Sequence, residues 1–397
     1  HDLSDNIIHL VLARLPDAPK GTKGISVFVV PKFLPDASGN PGKRNALVCG
    51  SLEEKMGIHG NATCVMNFDG ATGYLIGEPH KGLSYMFTMM NIARIGTAIQ
   101  GLGSSELSFQ GSLEYAKDRI AMRSLSGPKN PDGPADPIIV HPDVRRMLLT
   151  QKTIAESARA MIYYAAQQAD IAQGSNDENE RNEADELLSF LTPIAKAFLT
   201  ELGVEAANQG LQVFGGHGYV KEWGMEQIVR DARISTIYEG TTGIQALDLL
   251  GRKVLMTQGE SLKRFTKKVH LFCKEQADNE SISEFIEPLQ SMNKEWGDIT
   301  MKLGMSAMKD REEVGAASFD YLMYSGYAVT AYLWARTAEV AQRKLQEGTS
   351  EEAFYTAKLQ TARFYFTRML PRAKAHADAM ASGAGTLMEM PEEHFAF

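Results

Sequence analysis

The residues able to do chemistry crowd into one stretch, Gln212–Gln245, which reads QVFGGHGYVKEWGMEQIVRDARISTIYEGTTGIQ. It holds a glycine pair (Gly215, Gly216), a charged segment (Arg230, Asp231, Arg233) and a lone carboxylate, Glu239, followed by Gly240, Thr241 and Thr242. Consecutive glycines let a backbone come close to a large ligand. A single carboxylate at a break between elements is a usual place for a group that takes a proton. The spacing predicts a helix into the glycine turn, a short second helix, a Glu-Gly break, and then a helix through Leu250 capped by Thr241 or Thr242. Without further context Glu239 also fits a plain helix-end role, because negative charge is favourable beside the N-terminus of the next helix. Arg230, Asp231 and Arg233 are expected to form structural ion pairs.

The elements that must position this stretch follow from pattern. From Asn6 to about Tyr74, strand-like runs at 7–14, 24–30 and 63–68 alternate with turns such as PDAPKGTKG and PDASGNPGKR. From about Lys81 to Gly251 the period becomes helical, with three long helices, the third from about Arg181 to Val213. Within the first of them, GLGSSE at 101–106 reads as a helix-packing or kink site. SLSGPKNPDGPADP after it can only be a loop. From Lys253 to about Ala381 four more amphipathic segments follow, near 258–277, 280–307, 314–346 and 351–381. The expected fold is therefore α+β and mostly helical. It comprises a partial small β domain (1–80), a helical domain of four-helix-bundle type that carries the chemistry (81–254), and an appended C-terminal helical bundle (255–397).

Composition narrows the function. A chain of 397 residues, 44% hydrophobic, can bury a large core. Its net charge of −8 argues against nucleic acid or an anionic membrane as the main partner. Cys49, Cys64 and Cys273 form neither a CxxC pair nor a disulfide framework, so a reducing, cytoplasmic compartment is expected. No run of 18 apolar residues occurs, and no stable membrane insertion is expected. The chain opens at His1 already in strand-like sequence, so an N-terminal portion is expected to precede it. There is no GxGxxG opening a helix after a strand, no P-loop and no GxSxG elbow. The histidines show no HExxH and no close ligand grouping, and no metal is expected.

Against this background the stretch resembles the C-terminal signature of the acyl-CoA dehydrogenase flavoproteins, roughly Q-x-x-G-G-x-G-Y, then R-D-A-R/K-I, then I-Y-E-G-T. Upstream, KMGIHGNATCVMNFDGATGYLIGEPHKGLSYMF resembles the family's passage from β domain into helical domain. NIARIGTAIQGLG and YAKDR keep the family's order, so the resemblance covers about residues 6–254. The appended helices and PIIVHPDVRRMLL resemble the long subgroup that includes 3-methylmercaptopropionyl-CoA dehydrogenase.

The resemblance implies α,β-dehydrogenation of an acyl-CoA thioester in fatty acid β-oxidation, with FAD as cofactor. Glu239 would take the α-proton, the flavin the β-hydride, and electrons would pass to an electron-transferring flavoprotein. A carboxylate in an apolar, water-poor pocket suits such a weakly acidic carbon. Arg119 of YAKDR, together with Gln212, Gly215 and Gly216, corresponds to FAD contacts made across a subunit interface, which implies a homodimer or homotetramer. Thr241 and Thr242 correspond to cofactor contacts at a helix N-terminus, where phosphate is favoured. Asn91, Arg94 and Gly240 fall at substrate-side positions, and the backbone N–H of the base is among the family's donors to the thioester oxygen.

After Arg119 the chain departs from the family. Ile120, Ala121, Met122 and Arg123 replace a Thr-Phe-Gly-like stretch, and a hydroxyl contact is lost. The family's N-terminal helical domain and the early β stretch that lines the flavin are not matched. Two other readings stand beside this one: a truncated or non-catalytic relative that keeps the assembly surfaces, and an oxidase reoxidised directly by oxygen.

Overall fold

Strands come first because β-branched and aromatic residues alternate between turn signals. In the computed structural model, which describes residues 3–396, β1 (Ile8–Arg14) pairs antiparallel with β2 (Ile25–Pro31), Leu10 opposite Val29. β7 (Tyr74–Ile76) adds to the other edge of β2. Two further hairpins, β3 (Phe33–Pro35) with β4 (Pro41–Arg44) and β5 (Val48–Leu52) with β6 (Cys64–Asn67), complete this unit. Buried Asn45 ties the unit together: its amide donates to the carbonyls of Pro31 (2.9 Å) and Thr72 (2.8 Å) and accepts from the Thr72 N–H (2.9 Å).

The chain divides into two units, His1–Ala93 and Arg94–Phe397, and the division falls inside α1 (Gly82–Asp118). In the second unit, α2 (Pro142–Gly174) and α3 (Glu178–Phe214) form a hairpin whose turn is closed by Asp177, which accepts from the Asn179 and Glu180 amides as the N-cap of α3. A window of α3 reaches a mean hydropathy of 1.4, yet 78% of it is buried by other helices, which marks a core helix. After α4 (Met225–Arg233) and α5 (Thr242–Leu247) come a π-helical segment (Asp248–Leu255), α6 (Glu260–Glu275), α7 (Ser283–Ala307) and α8 (Glu312–Glu347). The predicted segment 351–381 is interrupted: α9 (Glu352–Phe364) passes through a π turn into α10 (Arg372–Ala381). Pro371 supplies the cause, since its ring clashes with the carbonyl four residues back. The architecture is α+β and mostly helical, as expected.

One apolar core runs from α2 and α3 through α8 to α10. The Trp334 indole N–H of α8 donates to Ser157 of α2 (2.8 Å), and Tyr327 of α8 meets Phe198 of α3 edge-on. Between α1 and α3 the approach is closer, because α1 presents Gly101, Ser105, Ser108 and Ser112 at helical spacing. A Cβ on Gly101 would land on the Leu199 carbonyl, and one on Gly203 would come within 2.8 Å of Gly101 Cα. The Ser108 hydroxyl lies 2.8 Å from both the Ala206 carbonyl of α3 and the Gln151 side-chain oxygen of α2. GLGSSE is thus a packing site.

The loop 119–141, where the family pattern breaks, is organised by one residue. Fully buried Asp136 accepts from the backbone amides of Ser124 (2.8 Å), Asn130 (2.7 Å) and Lys129 (2.8 Å) and from Arg123 (3.3 Å). These donors, the Ser124 amide foremost, hold its carboxyl at about 2. Because that value is depressed below the ordinary 3.8, the stabilisation is present above about pH 4 and is lost as pH falls toward 2. Asp136→Asn is expected to speed amide exchange across residues 123–136 at neutral pH by roughly tenfold or more. Unchanged protection, measured by hydrogen–deuterium exchange, would contradict this account of the loop.

Candidate active site

Glu239 lies between α4 and α5, where the helical register must break. The break is made by two consecutive left-handed residues, Glu239 (φ 57°) and Gly240 (φ 94°). A non-glycine residue at positive φ costs roughly 1 kcal/mol or more and persists only where its surroundings over-determine it. Here they do. The Glu239 carbonyl accepts from Gln245 Nε2 (3.2 Å) and faces Arg94 Nε (3.4 Å), and the Gly240 carbonyl accepts from Lys196 Nζ (2.7 Å). With both carbonyls turned inward, the Glu239 amide N–H has no acceptor among the described residues. The Glu239 residue itself is half-buried.

The surrounding side chains anchor the turn on three helices. Arg94 of α1, 4% exposed, sits 3.5 Å from Asp248, whose other oxygen accepts from Arg252 (2.7 Å). Burial works against the Arg94 charge, and Asp248 offsets it. Arg94, expected on the substrate side, donates from Nε to the Glu239 carbonyl. The Tyr238 hydroxyl donates to Gln100 of α1. Thr241 is the N-cap of α5, accepting from the Ile244 amide (3.3 Å), and is exposed, whereas the Thr242 hydroxyl is buried against Glu201 of α3. Asn91 is exposed on the part of α1 that belongs to the first unit.

The other predicted residues gather at the far end of the same helix pair. Gly215 (φ 57°) ends α3, and Gln212, Gly215, Gly216 and Arg119 are all exposed. A Cβ at Gly216 would meet nothing within 4 Å, so its backbone is open to a ligand. Tyr115, one turn before Arg119, stacks on Phe214 at 4.1 Å, and its hydroxyl lies 2.9 Å from His217 Nδ1. His217 in turn stacks on Trp223. This aromatic cluster holds the glycine turn beside the end of α1. Along α3, Lys196 and Gly215 are about 28 Å apart by helical rise. Glu239 and the glycine pair therefore form two clusters, not one. Between them the RDAR segment is structural: Arg230 pairs with Glu226 (2.7 Å), and Asp231 accepts from Gln227 (3.3 Å).

Sequence reasoning missed Lys196, Gln245 and Asp248. Lys196 had a signal, as a lone cation in the apolar run FLTPIAKAFL. The arrangement can present a carboxylate beside an available backbone N–H, the two groups needed to take a proton from a carbon next to a carbonyl and to stabilise the resulting oxyanion.

Residues 80–255 match the family described as "Acyl-CoA dehydrogenase, C-terminal domain", and residues 265–391 the one described as "Acetyl-CoA dehydrogenase C-terminal like". Over 389 residues the chain is 40% identical to 3-methylmercaptopropionyl-CoA dehydrogenase of Ruegeria pomeroyi, covering 98% of this chain and 65% of that protein. It is 33% identical to the broad-specificity linear acyl-CoA dehydrogenase FadE5 of Mycobacterium tuberculosis, covering 99% of this chain and 67% of that one. The solved structure of Caenorhabditis elegans ACDH-11 in complex with C11-CoA has the same fold, with a TM-score of 0.76 at 21% identity over 93% of this chain and 59% of its own. The chain thus spans about two thirds of the length of the curated relatives it matches.

Proposed function

Because this chain belongs to the acyl-CoA dehydrogenase family, we propose that it supplies the proton-abstracting part of an FAD-dependent α,β-dehydrogenation of an acyl-CoA thioester, with Glu239 as the base. The observation that carries this reading is the left-handed Glu239–Gly240 turn, whose carbonyls are held by buried donors while the carboxylate and the Glu239 N–H remain available. Such a turn supports a base beside Cα and a donor beside the thioester oxygen, because the carboxylate and the N–H belong to one residue. As the proton leaves, enolate charge gathers on that oxygen, where a fixed N–H stabilises it without reorganising. The hydride leaving Cβ needs an acceptor that no side chain provides, and a bound flavin supplies it.

The residues present fit that cofactor. Arg119 and the exposed Gly216 backbone offer a cation and an amide to a pyrophosphate, the Gly215 N–H being taken by the Gln212 carbonyl. Thr241 is exposed, and its hydroxyl, which accepts from the Ile244 amide, keeps its proton to donate, whereas the Thr242 hydroxyl is committed to Glu201. Since about 28 Å of helix separates the turn that holds Glu239 from the glycine pair, the glycine cluster serves the FAD of a neighbouring subunit. The working enzyme is then a homodimer or homotetramer that hands electrons to an electron-transferring flavoprotein.

Purified full-length protein is expected to be yellow and to lose its flavin absorbance when an acyl-CoA is added without oxygen. Persistent absorbance with acyl-CoAs of every chain length tested would sink the proposal. Peroxide formed in air would turn it into an oxidase.

A further inference from the structure

We infer that Lys196 is a positioning residue for the base: from the middle of α3 its ammonium holds the Gly240 carbonyl and so fixes the turn that aims Glu239. This rests on Glu239 being the base. Lys196 is fully buried, and its nearest neighbours along α3, Ile194, Ala195, Ala197, Phe198 and Leu199, are fully buried apolar residues. A helix that needed only packing there would be as well or better served by a methionine or leucine, because burying a charge costs more than burying methylenes. What the lysine gains is one directed bond, 2.7 Å from Nζ to the Gly240 oxygen.

That bond is needed because of the backbone it holds. Two successive residues at positive φ are not self-supporting, and the Gly240 carbonyl is the half of the turn that Arg94 and Gln245 do not reach with their bonds to the Glu239 carbonyl. Lys196 also comes from a different helix than either of them. The turn is therefore fixed from α1, α3 and α5 at once; Glu201 of α3 holds Thr242 after the turn, and removal of the Lys196 bond leaves the Gly240 carbonyl itself without a partner. Burial pushes the ammonium down to about 8, with Glu201 and Glu239 drawing it up and Arg94 lowering it. At neutral pH the group is still a charged donor, the stronger kind.

The test is anaerobic stopped-flow bleaching of the full-length holoenzyme, with the acyl-CoA that wild type consumes fastest. Lys196→Met keeps an unbranched side chain one atom shorter than lysine and removes the ammonium. It is expected to slow the limiting rate roughly 10- to 100-fold, the cost of misplacing a reacting group by about an ångström. Bound FAD and the substrate dissociation constant should stay within about twofold of wild type, a split that a general loss of structure does not give. Lys196→Arg, which restores a cation, is expected to recover part of the rate. If Lys196→Met does not accumulate as holoenzyme, Lys196→Gln serves the same comparison, since its amide is one atom too short to keep the bond. A wild-type limiting rate in the variant that lacks the ammonium overturns the inference. If wild type itself does not bleach, the dehydrogenase reading fails instead.

Discussion

Glu239→Gln leaves a yellow protein that acyl-CoA no longer bleaches. The substitution keeps the shape of the side chain and removes its ability to accept a proton, which should slow the reaction by roughly 10⁴-fold. Flavin should stay bound, because the residues that fit the cofactor's phosphates lie in the other cluster, at Arg119 and Gly215–Gly216. Stability should change by no more than about 0.5 kcal/mol, as expected for a half-buried side chain that anchors nothing. Glu239→Asp should fall between the two, since the carboxylate withdraws by one methylene and a displacement of about 1 Å can cost 10²-fold. Bleaching of the glutamine variant at the wild-type rate would remove Glu239 from the mechanism and leave the turn as a structural break.

The second large effect is on stability. Gly101→Ala is expected to cost about 3 kcal/mol, the upper end for overpacking, because the added Cβ meets the Leu199 backbone rather than a side chain that can turn away. The unfolding midpoint should drop by roughly 4 °C. Activity should fall with it, since Arg94 lies two turns earlier on α1 and Lys196 one turn before Leu199 on α3, and forcing the helices apart moves both relative to the Glu239 turn. Gly103→Ala is the control. A Cβ there meets nothing within 4 Å, and replacing a mid-helix glycine should raise stability by about 0.5–1 kcal/mol. Equal midpoints for the two variants would show that the α1–α3 approach is not as close as described.

What the sequence made legible was whatever is encoded locally. The long helices were readable because their apolar periodicity runs for many turns, and the break at Glu239–Gly240 because the glycine and the capping threonine sit side by side. Among the described residues, three of the seven strands, β1, β2 and β6, were visible. β3, β4, β5 and β7 were not: β3 and β7 run for three residues, β4 opens with Pro-Gly inside what reads as a turn, and β5 has Cys-Gly-Ser at its centre, whereas β6, no longer than β4, lies in the apolar run TCVMNF. The identity of the candidate base came from the motif rather than from periodicity. What holds it did not. Lys196 and Gly240, or Arg94 and Asp248, are far apart in sequence, and no local pattern states which carbonyl a buried cation will reach. Nor could a single run of residues reveal that one half sits at the middle of α3 and the other at its C-terminal end, since their separation depends on helix length and direction. Asp136 shows the same limit at short range: in NPDGPADP nothing separates it from Asp132, and only the folded loop shows which carboxylate collects the amides.

The most direct test of the central claim, that this chain carries the base which takes the α-proton of an acyl-CoA, is an isotope measurement on the full-length wild-type holoenzyme. An acyl-CoA deuterated at Cα is mixed with it anaerobically and flavin absorbance is followed against the unlabelled substrate. The account predicts that bleaching occurs with both and is slower with the deuterated one, because the Cα bond to hydrogen breaks in or before the step that reduces the flavin. Absence of bleaching with either substrate contradicts it.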